Sequence, residues 1–264
     1  MIVLPAIDPD IIAFGPIHIR WYGLMYVLGF AASYILTSRH PKAKMIGLQG
    51  QILESFFMHL FFGLLIGARL GYILFYQFEN LSDMLANPLE IIAVWHGGMS
   101  FHGGLAGCAA AGWWFSRKKG MSLAAIGDCV IVTAPIGLGL GRIGNFLNGE
   151  LFGRHSDLPW AMVFPNGGPL PRHPSQLYEA LLEGVVLFII LWSIRKKDLA
   201  NGTMVALFLI LYGFFRFILE FAREPDAQLG NIIGFLTMGQ ILSSLMLASG
   251  ISILIFLNRR AAKH

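Results

Sequence analysis

Residues 55–76 read SFFMHLFFGLLIGARLGYILFY, an apolar run whose one permanently charged side chain is Arg69. At about 1.5 Å per residue, a helix of this length crosses the roughly 30 Å of hydrocarbon in a bilayer. Comparable blocks recur near 21–37, 89–116, 121–141, 177–194, 203–222 and 233–257. The fold class expected is therefore an all-α polytopic membrane protein of about seven transmembrane helices. Composition agrees: of 264 residues, 56% are hydrophobic and 13% charged, about half the charged share of a soluble domain. Mean hydropathy is +0.65. Residues 1–20 carry acids and prolines instead of a basic start and an apolar core, so no cleavable signal is expected there. No repeat or separate soluble domain is evident, and residues 1–264 read as one integral membrane domain.

The net charge of +4 invites a nucleic-acid reading, but its distribution argues against one. Basic residues cluster at Arg39/Lys42/Lys44, Arg117/Lys118/Lys119, Arg195/Lys196/Lys197 and Arg259/Arg260/Lys263, after every second span and at the C-terminus. The positive-inside rule makes these cytoplasmic, with the N-terminus outside and the C-terminus inside. Loop 77–88, QFENLSDMLANP, is acidic and suits the outer face. The remaining basic residues are Arg20, Arg69, Arg142, Arg154, Arg172, Arg216 and Arg223, with no lysine among them. Guanidinium grips phosphate bidentately where ammonium is a point charge, so an all-arginine set suggests an anionic ligand at the outer side. Structural pairing is the competing reading for each of them. Cys108 and Cys129 fall toward the cytoplasmic halves of their spans and read as packing residues.

Ionisable residues inside spans are costly and become functional candidates. In the sixth span Tyr212, Arg216, Glu220 and Arg223 follow at helical spacing and share one face. Arg216 then lies on the order of 10 Å short of the outer boundary, and either meets a lipid phosphate from below or pairs internally with Glu220. The fourth span ends in GLGLGRIGNFLNGELFGR, residues 137–154. Its glycines admit a bulky headgroup or promote helix packing. Arg142 sits among them, followed by Asn145, Asn148 and Glu150, which can orient a guanidinium or bind hydroxyls. Residues 143–176, with five prolines, read as a small outer-face subdomain. His173-Pro174-Ser175 then enters the fifth span with Ser175 as N-cap, and Glu179 and Glu183 face inward as possible arginine partners.

The third block holds VWHGGMSFHGGLAG, residues 94–107, so that span is expected to break or re-enter. His102 lies deeper than His96, and an imidazole is the natural proton acceptor near neutral pH. His96 carries no assigned role. The chain has no GxxxxGK[ST], HExxH or GxSxG pattern, and its carboxylates are too scattered for a metal cluster. No metal and no cofactor are expected. Arginines for phosphate, a histidine base and a membrane cavity suit group transfer on a phospholipid. An organic-anion transporter would show duplicated halves, and a lipid acyltransferase would not need the outer arginines.

The blocks SFHGGLAG (100–107), GRIGNFLNGELFGR (141–154), HPSQLYEALLEG (173–184) and YGFFRFILEFAREPD (212–226), with IRWYGLMYVLGF at 19–30, resemble prolipoprotein diacylglyceryl transferases over essentially the whole chain. The resemblance implies transfer of the diacylglyceryl group of phosphatidylglycerol to the lipobox cysteine thiol of a preprolipoprotein signal peptide. A thioether forms and glycerol phosphate leaves, as the first step of lipoprotein maturation. It further implies the bacterial inner membrane, with lipid drawn from the outer leaflet, a site facing the periplasm and no nucleic acid. Carried onto matching positions, Arg142 binds the headgroup phosphate and Arg216 holds it during transfer, with Glu220 orienting Arg216. Tyr26 and Tyr212 line the site, while Asn145, Glu150 and Gly153 complete the signature loop. Asn148 and Arg223 are grouped with the substrate-binding residues. His102 is the candidate base, with positioning, or proton transfer to a tyrosine, as alternatives.

Overall fold

The structure, a computed structural model, describes residues 2–14, 17–78, 89–92, 97–224, 231–233 and 236–261. The chain is mostly helical. Three helices are long and apolar enough to cross a bilayer: Gln51–Tyr76, Ser175–Ile194 and Met238–Arg260. A fourth candidate is the pair Leu123–Ile131 and Ala134–Leu147, bent by 46° where the sequence reads as one span. Thr203–Leu219 is apolar but shorter. Within the three long helices only 28%, 33% and 17% of the apolar window is buried in protein, so most of it is left for lipid to cover. Exposed Phe61, Phe62, Trp113, Trp114 and Ile189 fit the same inversion.

The expected third span is indeed interrupted: a turn of helix at Leu89–Ile92 is separated from Phe101–Lys119. Short strands depart from the all-α expectation. Asp10–Phe14 pairs antiparallel with Ile17–Arg20, and Ile2–Val3 pairs parallel with Met162–Val163. Asn231–Ile233 pairs with Leu236–Thr237. Segments of two to five residues are too short to show the alternation that betrays a strand.

The fold divides into two compact units. The smaller, residues 43–126, is built on the Gln51–Tyr76 and Phe101–Lys119 helices. Gly63, Gly67 and Gly71 face Gly103, Gly107 and Ala111 so closely that a Cβ at Gly103 would strike the Gly67 carbonyl. Small residues every fourth position let helix backbones touch where lipid offers no hydrophobic drive for association. Two of the glycines that mark the 94–107 stretch are therefore packing residues. Gly97 and Gly98 differ: their φ angles of +85° and +73° make the turn before Ser100, which caps the following helix by accepting from Gly103 N at 3.2 Å. Arg69 holds that turn. Its guanidinium donates to the carbonyls of Gly97 (2.7 Å), Gly98 (3.1 Å), Ile91 (3.0 Å) and Glu90, and lies over the Tyr72 ring. Arg69 thus serves backbone and not an anionic ligand, because five forked donors satisfy free carbonyls as readily as phosphate.

The larger unit contains residues 1–42 and 127–264. Trp21–Ser38 packs on Ala134–Leu147 at Gly29 and Gly137, and the latter helix packs on Ser175–Ile194 at Gly139 and Gly184. Thr203–Leu219 lies along Met238–Ala261, again through glycines, Gly213 and Gly250. Val132, Leu187, Leu191, Met204 and Phe208 form the apolar core. Cys129 is buried beside it in sequence and Cys108 is free in the other unit.

One buried carboxylate sets the start of the Thr203–Leu219 helix. Asp128, fully buried, accepts from Gly202 N (2.8 Å), Met204 N (3.0 Å) and Val205 N (3.2 Å), and pairs with Lys42 Nζ at 2.7 Å. Three otherwise unpaired helix N–H groups are satisfied by a residue distant in sequence. Beside it, buried His40 accepts at Nδ1 from Lys42 N (3.2 Å). Burial, with Arg195 and Lys42 nearby, pushes its pKa from 6.5 down to about 4. Between those values the unfolded chain binds a proton that the folded ring refuses, so stability is complete above 6.5 and falls as pH drops toward 4. Thermal unfolding in detergent is expected to show this slope, and His40→Asn, which keeps an acceptor without the titration, is expected to flatten it.

Candidate active site

The site is assembled by three helices of the larger unit. Ser175–Ile194 carries Glu179 and Glu183, and its middle, Ala180–Val186, opens into a π-helical turn. Such bulges recur at functional sites because they re-aim side chains within a helix. Gly184 in this turn meets Gly139 backbone to backbone, bringing the acids against the helix that carries Arg142. Thr203–Leu219 supplies Arg216, Glu220 opens the turn that follows, and Arg223 comes just after that turn, bridged to Gly153. Residues 203–222 therefore do not form one helix, yet Arg216, Glu220 and Arg223 still gather.

Glu179 is the centre of the cluster. Its Oε2 lies 2.7 Å from Arg142 Nε and 2.9 Å from an Arg216 terminal nitrogen, while its Oε1 lies 3.4 Å from Arg223. Glu183 sits farther off, 3.6 Å from Arg216 and 4.0 Å from Arg142. Glu220 pairs with Arg216 at 3.5 Å and Arg223 at 3.8 Å, and its Oε1 accepts from Thr237 Oγ1 at 2.9 Å. The internal pairing expected of Arg216 holds in part: it pairs with Glu220, but its shortest contact is to Glu179. The side chains of Arg142, Arg216 and Arg223 keep 21%, 15% and 13% of their surface exposed, against 1%, 0% and 6% for Glu179, Glu183 and Glu220.

Two of the expected tyrosines lie within electrostatic reach of the cluster. Tyr212 shares the electrostatic surroundings of Glu183, Arg216, Arg142 and Glu179. Tyr26 feels Arg142 and contacts Tyr22 edge-on, with the two hydroxyls 3.2 Å apart. Asn145 and Asn148 both donate to Glu150 Oε1, at 2.9 and 3.3 Å. They orient a carboxylate where the sequence suggested a guanidinium. The helix of Arg142 runs on to Leu147, so its glycines 137, 139 and 144 serve close packing inside a helix, not a turn.

The 148–174 stretch is knitted by two further arginines. Arg154 donates to Arg223 O at 2.9 Å, and Arg172 to Gly167 O, Gly153 O and Glu224 while stacking on Phe152. Gly153 bridges to Arg223, and a Cβ there would strike the Ala222 carbonyl. Its role is close backbone approach. Ser175 is the first helical residue and not the N-cap: the cap is Pro174, and the Ser175 hydroxyl donates to Leu151 O at 3.1 Å. His173 packs edge-on against Tyr178. Arg20 pairs with Asp10 in the exposed hairpin. Of the arginines outside the basic patches, Arg142, Arg216 and Arg223 converge on shared carboxylates.

His102 belongs to the smaller unit, in the first turn of Phe101–Lys119, exposed and with its ring 5.7 Å from that of Phe101. His96 lies outside the described residues. Glu179, expected only as a possible arginine partner, is the centre of the cluster, and its sequence signal is the i, i+4 acid pair in an otherwise apolar span.

Partly exposed arginines gathered over buried carboxylates in a chain of membrane-length apolar helices make this cluster the candidate site. Comparison with known proteins makes this specific. The prolipoprotein diacylglyceryl transferase family profile matches residues 9–256. Proteins named phosphatidylglycerol–prolipoprotein diacylglyceryl transferase are 50% identical in Pseudomonas paraeruginosa (99% of this chain, 98% of that protein) and in Vibrio parahaemolyticus (97% and 93%). Another from Desulfotalea psychrophila is 50% identical over 95% of this chain and 93% of its own. The chain belongs to the prolipoprotein diacylglyceryl transferase family.

Removing one partner of a buried ion pair costs about 3–5 kcal/mol, because the other charge is left uncompensated. Glu179→Ala, which strips three guanidiniums of their shared partner, is expected to lower stability by that order, read as the thermal midpoint in detergent. An unchanged midpoint would mean the arginines are held without it.

Proposed function

We propose that this protein transfers the diacylglyceryl group of phosphatidylglycerol to the lipobox cysteine thiol of a prolipoprotein. The observation that carries this reading is the Arg142–Arg216 pair, partly uncovered over a buried Glu179. The thiol sulfur attacks the glycerol carbon, the C–O bond to phosphate breaks, and glycerol phosphate leaves with the bonding pair. Charge grows on the phosphate oxygens as this happens, and preorganised guanidiniums stabilise it most in the transition state. His102 takes the thiol proton, since the thiolate is the nucleophile. Tyr26 and Tyr212 line the site, Glu220 orients Arg216 and Arg223 adds to the cationic field. Asn145, Asn148, Glu150 and Gly153 shape the loop beside Arg142. No cofactor enters a displacement with no change in oxidation state.

The same reading places about seven spans in the bacterial inner membrane as one integral domain, with the N-terminus periplasmic and the C-terminus cytoplasmic. Residues 143–176 then form a periplasmic subdomain. The lipid comes from the outer leaflet and the acceptor is a signal peptide. The lysine-bearing patches at 39–44, 117–119, 195–197 and 259–263 support that orientation.

Glycerol phosphate release from phosphatidylglycerol and a lipobox peptide tests the assignment. Arg142→Ala is expected to abolish release while the protein still inserts and purifies, and Arg142→Lys to recover little, because the fork is lost. Substantial activity in Arg142→Lys contradicts bidentate binding. His102→Gln is expected to lower the rate by about 10²–10⁴-fold, the usual contribution of a general base, with partial relief at higher pH. A loss that ignores pH assigns His102 to positioning.

A further inference from the structure

The cluster is balanced before any ligand arrives. Among the described residues, the guanidiniums of Arg142, Arg216 and Arg223 face the carboxylates of Glu179, Glu183 and Glu220. An arriving phosphodiester would leave one negative charge in excess at a place shielded from water, where uncompensated charge is costly. The three carboxylates are not equally committed. Glu179 has contacts of 2.7 and 2.9 Å, and Glu220 is held by Thr237. Glu183 is fully buried, neither of its oxygens has a hydrogen-bond partner among the described residues, and its guanidinium contacts are the longest of the pairs to Arg142 and Arg216. It has the least to lose by becoming a neutral acid. The groups around it are Arg142 on one packed helix, Tyr212 and Arg216 on another, Arg223 beyond that helix, and Glu179 on its own.

We propose that Glu183 is a further catalytic residue: it takes up a proton as the headgroup phosphate engages Arg142 and Arg216, and returns it to the phosphate as the leaving group departs. The step rests on the phosphate reading above and balances without another reactant. Solvent supplies one proton on binding. Sulfur–carbon bond formation sends the thiol proton to His102, and carbon–oxygen cleavage turns the phosphodiester monoanion into a monoester dianion. That dianion accepts the Glu183 proton and leaves as the monoanion. Glu183, again a carboxylate, then competes with the product for Arg142 and Arg216 and favours its release.

Calorimetric titration of the purified full chain with dioctanoyl phosphatidylglycerol, in Tris and in HEPES at pH 8, counts the protons. The wild type is expected to take up close to one proton per lipid bound, and its affinity to fall up to tenfold per pH unit above neutrality. Glu183→Gln is expected to bind with no uptake and no such pH dependence. Its turnover with phosphatidylglycerol is expected to fall by about 100-fold. Most of that loss should return with a lipid whose leaving group is 4-nitrophenyl phosphate, which needs a proton less. Binding by the wild type without proton uptake overturns the proposal and leaves the phosphate reading standing, whether or not the variant folds. Equal losses on both lipids also overturn it. Failure of the wild type to bind phosphatidylglycerol overturns both.

Discussion

A single carboxylate oxygen, Oε2 of Glu179, lies within 3 Å of both Arg142 and Arg216, and the site depends on that bridge. Two guanidiniums repel each other when brought together in a medium of low dielectric. A buried anion between them turns repulsion into attachment and sets their separation. The anion is buried, while both arginine side chains keep part of their surface exposed. A bidentate phosphate site needs that combination: two forks held in place, with donors to spare.

The bridge in turn depends on backbones coming unusually close. Glu179 and Glu183 reach the Arg142 helix because Gly184 and Gly139 touch without side chains between them, and the π-helical turn carries the acids there. On the other side, a Cβ at Gly239 would collide with the Glu220 carboxylate. Asp128 fixes where the Arg216 helix begins, through three N–H groups and Lys42. The charged site and the glycine pattern are thus parts of one arrangement. In a membrane, where apolar surface does not drive helices together, small residues and satisfied polar groups must supply the cohesion.

Much of this is legible in the sequence, and the exceptions have physical causes. Apolar blocks mark a helical membrane protein, and the spacing of Arg216, Glu220 and Arg223 correctly groups them. The glycines of 94–107 announce a break, and residues 97–100 are indeed non-helical. What composition could not sort was the purpose of each arginine. Arg69 and Arg154 spend their donors on backbone carbonyls and Arg172 on two carbonyls and Glu224, and only three-dimensional proximity separates them from Arg142. Lys42 looks like a cytoplasmic topology marker and is also the partner of a buried aspartate. The short strands, and the bend between Ile131 and Ala134, leave no periodic signature at their length. Glu179 was visible as an intramembrane acid, but its three-way pairing depends on contacts across 37 and 44 residues of chain.

The most direct test is a cryo-electron microscopy structure of the protein in nanodiscs with a non-hydrolysable phosphatidylglycerol analogue whose phosphate is replaced by a phosphonate. The account predicts the phosphonate within hydrogen-bonding distance of both Arg142 and Arg216, on the side of the pair away from Glu179. A headgroup bound elsewhere, with both arginines still engaged only by glutamates, would contradict it.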